Sequence, residues 1–377
     1  MPTIYFDNAA TTALAPEVLT SMLPYLQTHY GNPSSIHSLG RTNKVAIEQA
    51  RKTVATTLNC ATSEIFFNSG GTESNNTILR GAAKHLGIQR IITSPIEHHC
   101  VLHTCTDLLL NTHIKQLDYV TILPDGSIDY AHLAVLLSTS ELPTLVTLMH
   151  ANNEIGTILD LEVIAALCQK HNAFFHTDTV QSLGHAKIDL QKIKIHFLTG
   201  SAHKFHGPKG VGFMYIHANN MVNPFIHGGS QERNMRAGTE NIYGVVGLAK
   251  ALALAYEEFD ATALHIATLR NHFKTTLSQA IEGVQYNGNQ NGKALSKVLN
   301  ITFPPHPKAD LLLFNLDIAG ICASGGSACS SGTDQGSHVL KAIDIDPLRA
   351  SIRFSFSKYN TLKEVDYVVT KLKELFN

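Results

Sequence analysis

The chain has 377 residues, 29 Lys+Arg against 30 Asp+Glu, a formal net charge of −1 and a pI near 7.1. With 44% hydrophobic and 16% charged residues it can bury a large core, which excludes intrinsic disorder, and the balanced charge leaves no footprint for nucleic acid or an anionic membrane. The opening MPTIYFDNAATT lacks the basic start and apolar run of a signal peptide, and no stretch approaches the roughly 18 apolar residues of a membrane span, so a cytoplasmic globular protein with a large and a small domain is expected.

In chain order, Arg41–Leu58 sets Ile47, Ala50, Val54 and Leu58 at steps of three and four, the pattern of an amphipathic helix. Glu64–Phe67 reads as a short apolar strand, and Asn68-Ser69-Gly70-Gly71-Thr72-Glu73-Ser74-Asn75 after it opens a helix. Its glycines let the backbone approach an anion, and free helix N-terminal amides with the Thr72 hydroxyl would complete a phosphate cup; a capped turn has the same composition. Arg90–Thr93 is the next strand. Beyond it, His99 and His103 share a helix face with Cys100 and Cys105 nearby, the best metal candidate among 21 histidines, but no second cluster has ligand spacing and no metal is expected.

Thr144–His150 and Ala173–Asp178 are strands joined by the helical Asp160–His171, and His196–Gly200 and Val211–Ile216 follow. Alternation of helices with continuously apolar strands implies an α/β fold, its central sheet mostly parallel with helices on both faces. Asp178 ends its strand, where a carboxylate faces the crevice in which α/β proteins bind ligands, although it suits a helix N-cap equally well. Ser201-Ala202-His203-Lys204 ends the next strand. A lysine held there can form a Schiff base with an aldehyde cofactor, while Ser and His bind a phosphate.

Near residue 250 the pattern changes. Gly247–Ala280 is helical, with a break near Asp260, and Tyr286–Lys293 (YNGNQNGK) is a turn-rich interruption. Strands Val298–Phe303 and Ser351–Phe356 and a last helix, Thr361–Leu375, form a smaller α+β unit. Six cysteines, at 60, 100, 105, 168, 322 and 329, include no C-x-x-C pair and suggest no disulfide framework. Cys60 and Cys168 sit in apolar-periodic surroundings, and Cys322 adjoins Ile318–Ile321. Cys329 stands alone within Ala323–Gly332, a stretch of small residues that suits a travelling nucleophile. Arg353 offers a forked guanidinium for a carboxylate.

Together these motifs resemble the NifS/IscS-type cysteine desulfurases, class V aminotransferases of fold type I among pyridoxal phosphate (PLP) enzymes. The resemblance runs through YFDNAATT (Tyr5–Thr12), GNPSSIHSLGR (Gly31–Arg41), FNSGGTESNN (Phe67–Asn76), EHHCVL (Glu97–Leu102), HANNEIGT (His150–Thr157), HTDTVQ (His176–Gln181), SAHKFHGPKGVG (Ser201–Gly212), RAGTEN (Arg236–Asn241) and SGGSACSSG (Ser324–Gly332). It implies a large PLP-binding domain over 15–255 and a small domain from 1–14 and 256–377 that carries the cysteine loop. It further implies that Lys204 is the Schiff-base lysine and acid/base, that Asp178 pairs with the pyridine nitrogen, and that Gln181 bonds the phenolic oxygen. His98 would stack on the ring and assist proton transfer. Gly71, Thr72, Ser201 and His203 would hold the phosphate, with Thr239 added from the neighbouring subunit of a homodimer. Asn153 and Arg353 would grip the substrate carboxylate.

On the same basis, Cys329 would take sulfur from L-cysteine as a persulfide, releasing alanine, and pass it to a sulfur-acceptor protein for iron–sulfur cluster or thiocofactor synthesis. The chain ends soon after the last helix, without the tail by which many members dock a scaffold, which leaves the acceptor open. Selenocysteine lyase, or another PLP lyase or aminotransferase of the fold, is the alternative within the family. A non-catalytic metal- or partner-binding protein is the alternative outside it.

Overall fold

The computed structural model describes residues 3–220, 222–307, 309–325 and 336–376. The first part of the chain forms β1 (Ile4–Tyr5), α1 (Pro16–Gln27), α2 (Ser38–Leu58), β2 (Ile65–Asn68), α3 (Gly71–His85), β3 (Arg90–Thr93), α4 (His99–Asn111), β4 (Gln116–Tyr119), α5 (Tyr130–Ser138), β5 (Thr144–Thr147), α6 (Leu161–Lys170), β6 (Phe174–Asp178), β7 (Phe197–Ser201) and β8 (Gly212–Ile216). After α7 (Ile242–Glu257) and α8 (Phe259–Ala280) come β9 (Gln285–Asn287), β10 (Val298–Thr302), α9 (Leu312–Ile318), β11 (Ile321–Cys322), α10 (His338–Ala342), β12 (Ser351–Ser355) and α11 (Leu362–Phe376).

Seven strands make one sheet in the order β2-β8-β7-β6-β5-β3-β4. Only β8 runs against its neighbours, pairing antiparallel with both β2 and β7. The ten residues between Ser201 and Gly212 explain this reversal. A parallel return needs a crossover of about a dozen residues or more, whereas a tight turn needs few. Successive strand residues point to opposite faces, so each strand feeds two cores. Phe67, Ile92, Val146, Leu198 and Phe213 join the core beneath α1, α2, α6 and α7. Their neighbours Phe66, Ile91, Leu145, Phe197 and Met214 join the core beneath α3 and α4. Burying both faces makes these strands continuously apolar, as the sequence pattern implied.

A separate core unites the two ends of the chain. Ile4 and Phe6 pack with Phe273 of α8, Leu299 of β10, Phe354 of β12 and Val368 of α11, and the Phe6 ring meets those of Phe356 and Phe273 edge-on at 5.1 and 6.3 Å. Its antiparallel sheet has the order β12-β10-β9, and β1 pairs parallel with β11. The helical stretch after residue 242 breaks at Glu258, and α8 then turns Ile266, Leu269, Phe273 and Leu277 into this core.

The turn-rich interruption differs from expectation at its start, where β9 forms. Asn287, a turn residue by composition, is buried, and its Nδ2 donates to Asn300 Oδ1 and Thr302 Oγ1, both at 2.7 Å. Cross-strand amide pairing of this kind offsets the poor strand propensity of asparagine. Among the described residues no helix is long and apolar enough to cross a membrane.

Candidate active site

A cavity of about 250 Å³ opens at the carboxyl ends of the parallel strands, the general location of ligand sites in open α/β sheets. Gly71 and Thr72 reach it from the start of α3, His98 from the start of α4, and Asn153 from the segment after β5. Asp178 closes β6, with Gln181 one turn later, while Ser201 closes β7 and His203 and Lys204 follow in a short 3-10 turn. Arg353 enters from β12 of the smaller unit. Ten of the twelve residues singled out in the sequence therefore line one cavity. Of the other two, Cys329 lies outside the described residues. Thr239 is exposed and does not line the cavity of its own chain.

The Lys204 Nζ donates to the carbonyls of Ala9 and Ala10, both at 2.7 Å. Those carbonyls carry no side-chain signature and were not anticipated. The N-terminal segment is held there by Thr12, whose amide and hydroxyl both donate to the His203 carbonyl, and by the Ala9 amide, which donates to Ser355 Oγ at 2.8 Å. Gln181 Nε2 donates to the same Ala9 carbonyl at 2.9 Å.

Asp178 is fixed through both oxygens. The Val180 amide donates to Oδ1 at 2.9 Å, the cap-like contact its position suggested, and Asn75 Nδ2 donates to Oδ2 at 2.7 Å. Asn75 belongs to the FNSGGTESNN stretch, yet its role was missed. Glu97, fully buried, takes the Ser94 hydroxyl and the Met149 amide on Oε1. Desolvation pushes its carboxyl up to about 8, so it is neutral in the fold.

Arg353 is 1% exposed; Nη2 donates to Asp7 Oδ1 at 2.8 Å and Nη1 to the Asn153 carbonyl at 2.9 Å. Asp7, unassigned by the sequence reading, also accepts from Ser324 Oγ at 2.8 Å. Ser324 and Arg353 exchange backbone hydrogen bonds of 2.7 and 3.2 Å. On the far side, Ser337 Oγ donates to Glu154 Oε2, next to Asn153, and His338 Nε2 contacts the Glu97 carbonyl at 2.9 Å. The chain before the segment containing Cys329 is therefore tied to Arg353 of the cavity wall, and the chain after it to Glu154 and Glu97, the sequence neighbours of wall residues Asn153 and His98.

The RAGTEN stretch is anchored from below. Arg51, 2% exposed, holds Glu232 through two hydrogen bonds of 2.7 and 2.8 Å, and Glu232 also accepts the Phe67 amide. This buried pair secures Glu232, Arg233 and Asn234 at φ values of 45°, 56° and 67°, a conformation that costs energy in non-glycine residues. Arg236 then pairs with Glu73 of α3 at 2.9 Å.

Five histidines of the fold, His203 of the cavity among them, are held neutral. Desolvation pulls His150, His196, His203 and His206 down to about 4 and His176 to about 3. The unfolded chain binds protons at these side chains near the ordinary value of 6.5, and the folded chain does not until the pH is far lower. Their stabilising contribution is thus complete above about pH 6.5 and is lost as the pH falls toward 4. Glu97 acts in the opposite sense with one proton, against five from the histidines. The urea midpoint is accordingly expected to fall steeply between about pH 7 and pH 5; a flat or rising midpoint would contradict neutral burial.

An aminotransferase class-V profile matches residues 4–368. The chain belongs to that family. Among class-V relatives, "Cysteine desulfurase IscS" of Dictyoglomus turgidum is 40% identical over 376 residues, covering 99% of this chain and 94% of the relative. The Methanosarcina thermophila protein of the same name is 40% identical over 377 residues, covering 99% and 91%. A solved "NifS-like protein" superposes with a TM-score of 0.91 at 37% identity, covering 99% and 98%, and "SspA in complex with cysteine" with 0.82 at 34%, covering 95% and 100%.

The class-V cofactor, pyridoxal phosphate, fits the donor set. A buried carboxylate, a lysine amine and the first-turn amides of α3 with nearby hydroxyls match a pyridine nitrogen, an aldehyde and a phosphate. Two buried polar atoms on the wall, Gln181 Oε1 and Arg353 Nε, have no partner among the described residues. Each such atom needs a partner that a bound group can provide.

Proposed function

We propose that this cavity converts L-cysteine to L-alanine and that Cys329 receives the sulfur as a persulfide. The chain is a PLP-dependent cysteine desulfurase of the class-V family; the residue roles are our reading. The observation that carries them is the meeting at one cavity of Lys204, Asp178 and Arg353, with Ser324, before the Cys329 segment, paired to the Arg353 backbone.

When bound, the cofactor supplies an electron-withdrawing ring that labilises bonds at the carbon bearing the substrate amine. Lys204 would hold its aldehyde, Asp178 its ring nitrogen, Gln181 its phenolic oxygen and His98 its face. Gly71, Thr72, Ser201 and His203 would hold its phosphate, with Thr239 of the partner subunit in a homodimer. The exposed Leu19, Leu23 and Leu26 of α1 support such an association, being apolar surface that a second copy would cover. Arg353 and Asn153 would orient the substrate carboxylate. Lys204, once its amine is free, would move the proton at the substrate α-carbon.

In the sulfur step the substrate carbon–sulfur bond breaks and a sulfur–sulfur bond to Cys329 forms. The bonding pair stays with carbon and is protonated, so that a thiol and cysteine give a persulfide and alanine. The persulfide would pass to a thiol-bearing acceptor protein serving iron–sulfur cluster or thiocofactor assembly.

Amino-acid analysis of the purified protein supplied with PLP, L-cysteine and a thiol reductant tests this reading: alanine and sulfide are expected in equal amounts. A parallel reaction with selenocysteine, without dithiothreitol, separates the alternative. Turnover of selenocysteine with no alanine from cysteine would overturn the assignment.

A further inference from the structure

Among the described residues Cys100 is a thiol that lines the cavity, and the mechanism makes no use of it. It follows His98 by two residues, and its side chain closes a polar chain across three elements. Asn75 of α3 is fully buried, and its Nδ2 donates to Asp178 Oδ2 at 2.7 Å and lies 3.1 Å from Cys100 Sγ. Cys100 Sγ in turn lies 3.0 Å from His98 Nδ1. The backbone amide of Cys100 donates to that same nitrogen at 3.2 Å, so that His98 caps α4 with its own ring.

The directions of these contacts follow from the donor inventory. An amide N–H can only donate, so His98 Nδ1 presents its lone pair to α4. The two hydrogens of Asn75 Nδ2 serve Asp178 and the sulfur, and the Thr72 hydroxyl donates to the sulfur as well, which makes the sulfur an acceptor toward both. The thiol hydrogen then has the Nδ1 lone pair before it. Burial pushes the Cys100 thiol up to about 12, which keeps that hydrogen in place at neutral pH. Burial also lowers His98, with the nearby Lys204, His99 and His338 adding in the same direction and Asp178 opposing. The ring is therefore neutral and carries one hydrogen.

We propose that Cys100 is a positioning residue: its thiol, together with its backbone amide, fixes His98 as the tautomer protonated at Nε2. The nitrogen left to the cavity then carries an N–H and no lone pair. His98 donates a hydrogen bond to a lone-pair atom of the bound substrate, and accepts a proton at Nε2 only after both donors to Nδ1 have been broken. This catalytic consequence rests on the proposed function; the tautomer does not.

Long-range proton–nitrogen spectra of histidine-labelled holoenzyme read the tautomer directly, with the His98 signal identified by its loss in His98→Gln. Wild type and Cys100→Ser, which keeps a donor, are expected to show the proton on Nε2. Cys100→Ala is expected to raise the share of the Nδ1-protonated form about tenfold, the weight of one hydrogen bond. An unchanged tautomer in Cys100→Ala would mean that the amide alone sets the ring and would overturn the proposal, as would a wild-type proton on Nδ1. Should the alanine variant fail to fold, Cys100→Val fills the space without a donor and takes its place. Wild-type holoenzyme that carries the proton on Nε2 but forms no alanine from cysteine would count against the functional reading, not against this one.

Discussion

Cys329→Ser is expected to leave the protein yellow with bound cofactor and to stop alanine and sulfide production from L-cysteine. A serine hydroxyl forms no persulfide, so the loss should reach roughly 10³-fold or more, about 4 kcal/mol of transition-state stabilisation. The colour matters as much as the rate. It shows that the cavity still assembles, and confines the defect to the thiol. Cys322→Ser is the matched control, since Cys322 pairs with Tyr5 in the β1–β11 ladder and does not line the cavity; its rate should equal that of wild type. Sulfide release by Cys329→Ser at the wild-type rate would remove Cys329 from the mechanism and point to direct release of sulfide from the cavity.

Lys204→Ala should lose both the visible absorbance of the lysine-linked cofactor and alanine formation, by about 10³-fold or more, because the amine that binds the aldehyde and the group that moves the α-proton vanish together. Lys204→Arg separates nucleophile from charge. A guanidinium can still donate to the Ala9 and Ala10 carbonyls, but it is never a free base at working pH. The arginine variant should therefore match cofactor-free wild type in thermal stability and match the alanine variant in colour and rate. A yellow, active arginine variant would dismiss the assignment of Lys204.

Side chains with distinctive chemistry were legible in the sequence, and their backbone partners were not. Lys204, Asp178 and Arg353 stand at strand ends or within strands where the pattern could place them. The Ala9 and Ala10 carbonyls that receive Lys204 are invisible, because any residue supplies a carbonyl. Asp7 and Asn75 act through other side chains across 346 and 103 positions of sequence, and no local spacing encodes a pairing of that range. Helix and strand periodicity recovered the buried strands of the large sheet. It missed β1 and β11, each two residues long, since a period needs more residues than that to be seen. The reversal of β8 was readable in principle from the short Ser201–Gly212 connection. The neutrality of the histidines depends on burial in the finished fold, which composition does not report.

The small core is sewn from the first and last parts of the polypeptide, and this orders events in time. During synthesis the large sheet has all seven of its strands once Ile216 has emerged, whereas Ile4, Phe6 and Asp7 must wait for Ser351–Ser355. Until then Ala9 has no Ser355 hydroxyl to rest on, and the carbonyls that receive Lys204 are held only by the Thr12 and Gln181 contacts. A nascent chain thus carries its reactive lysine with its surroundings half built. Closure of the two ends works as a final latch: a chain cut short before β12 would fold most of its mass yet remain unable to build its catalytic chamber.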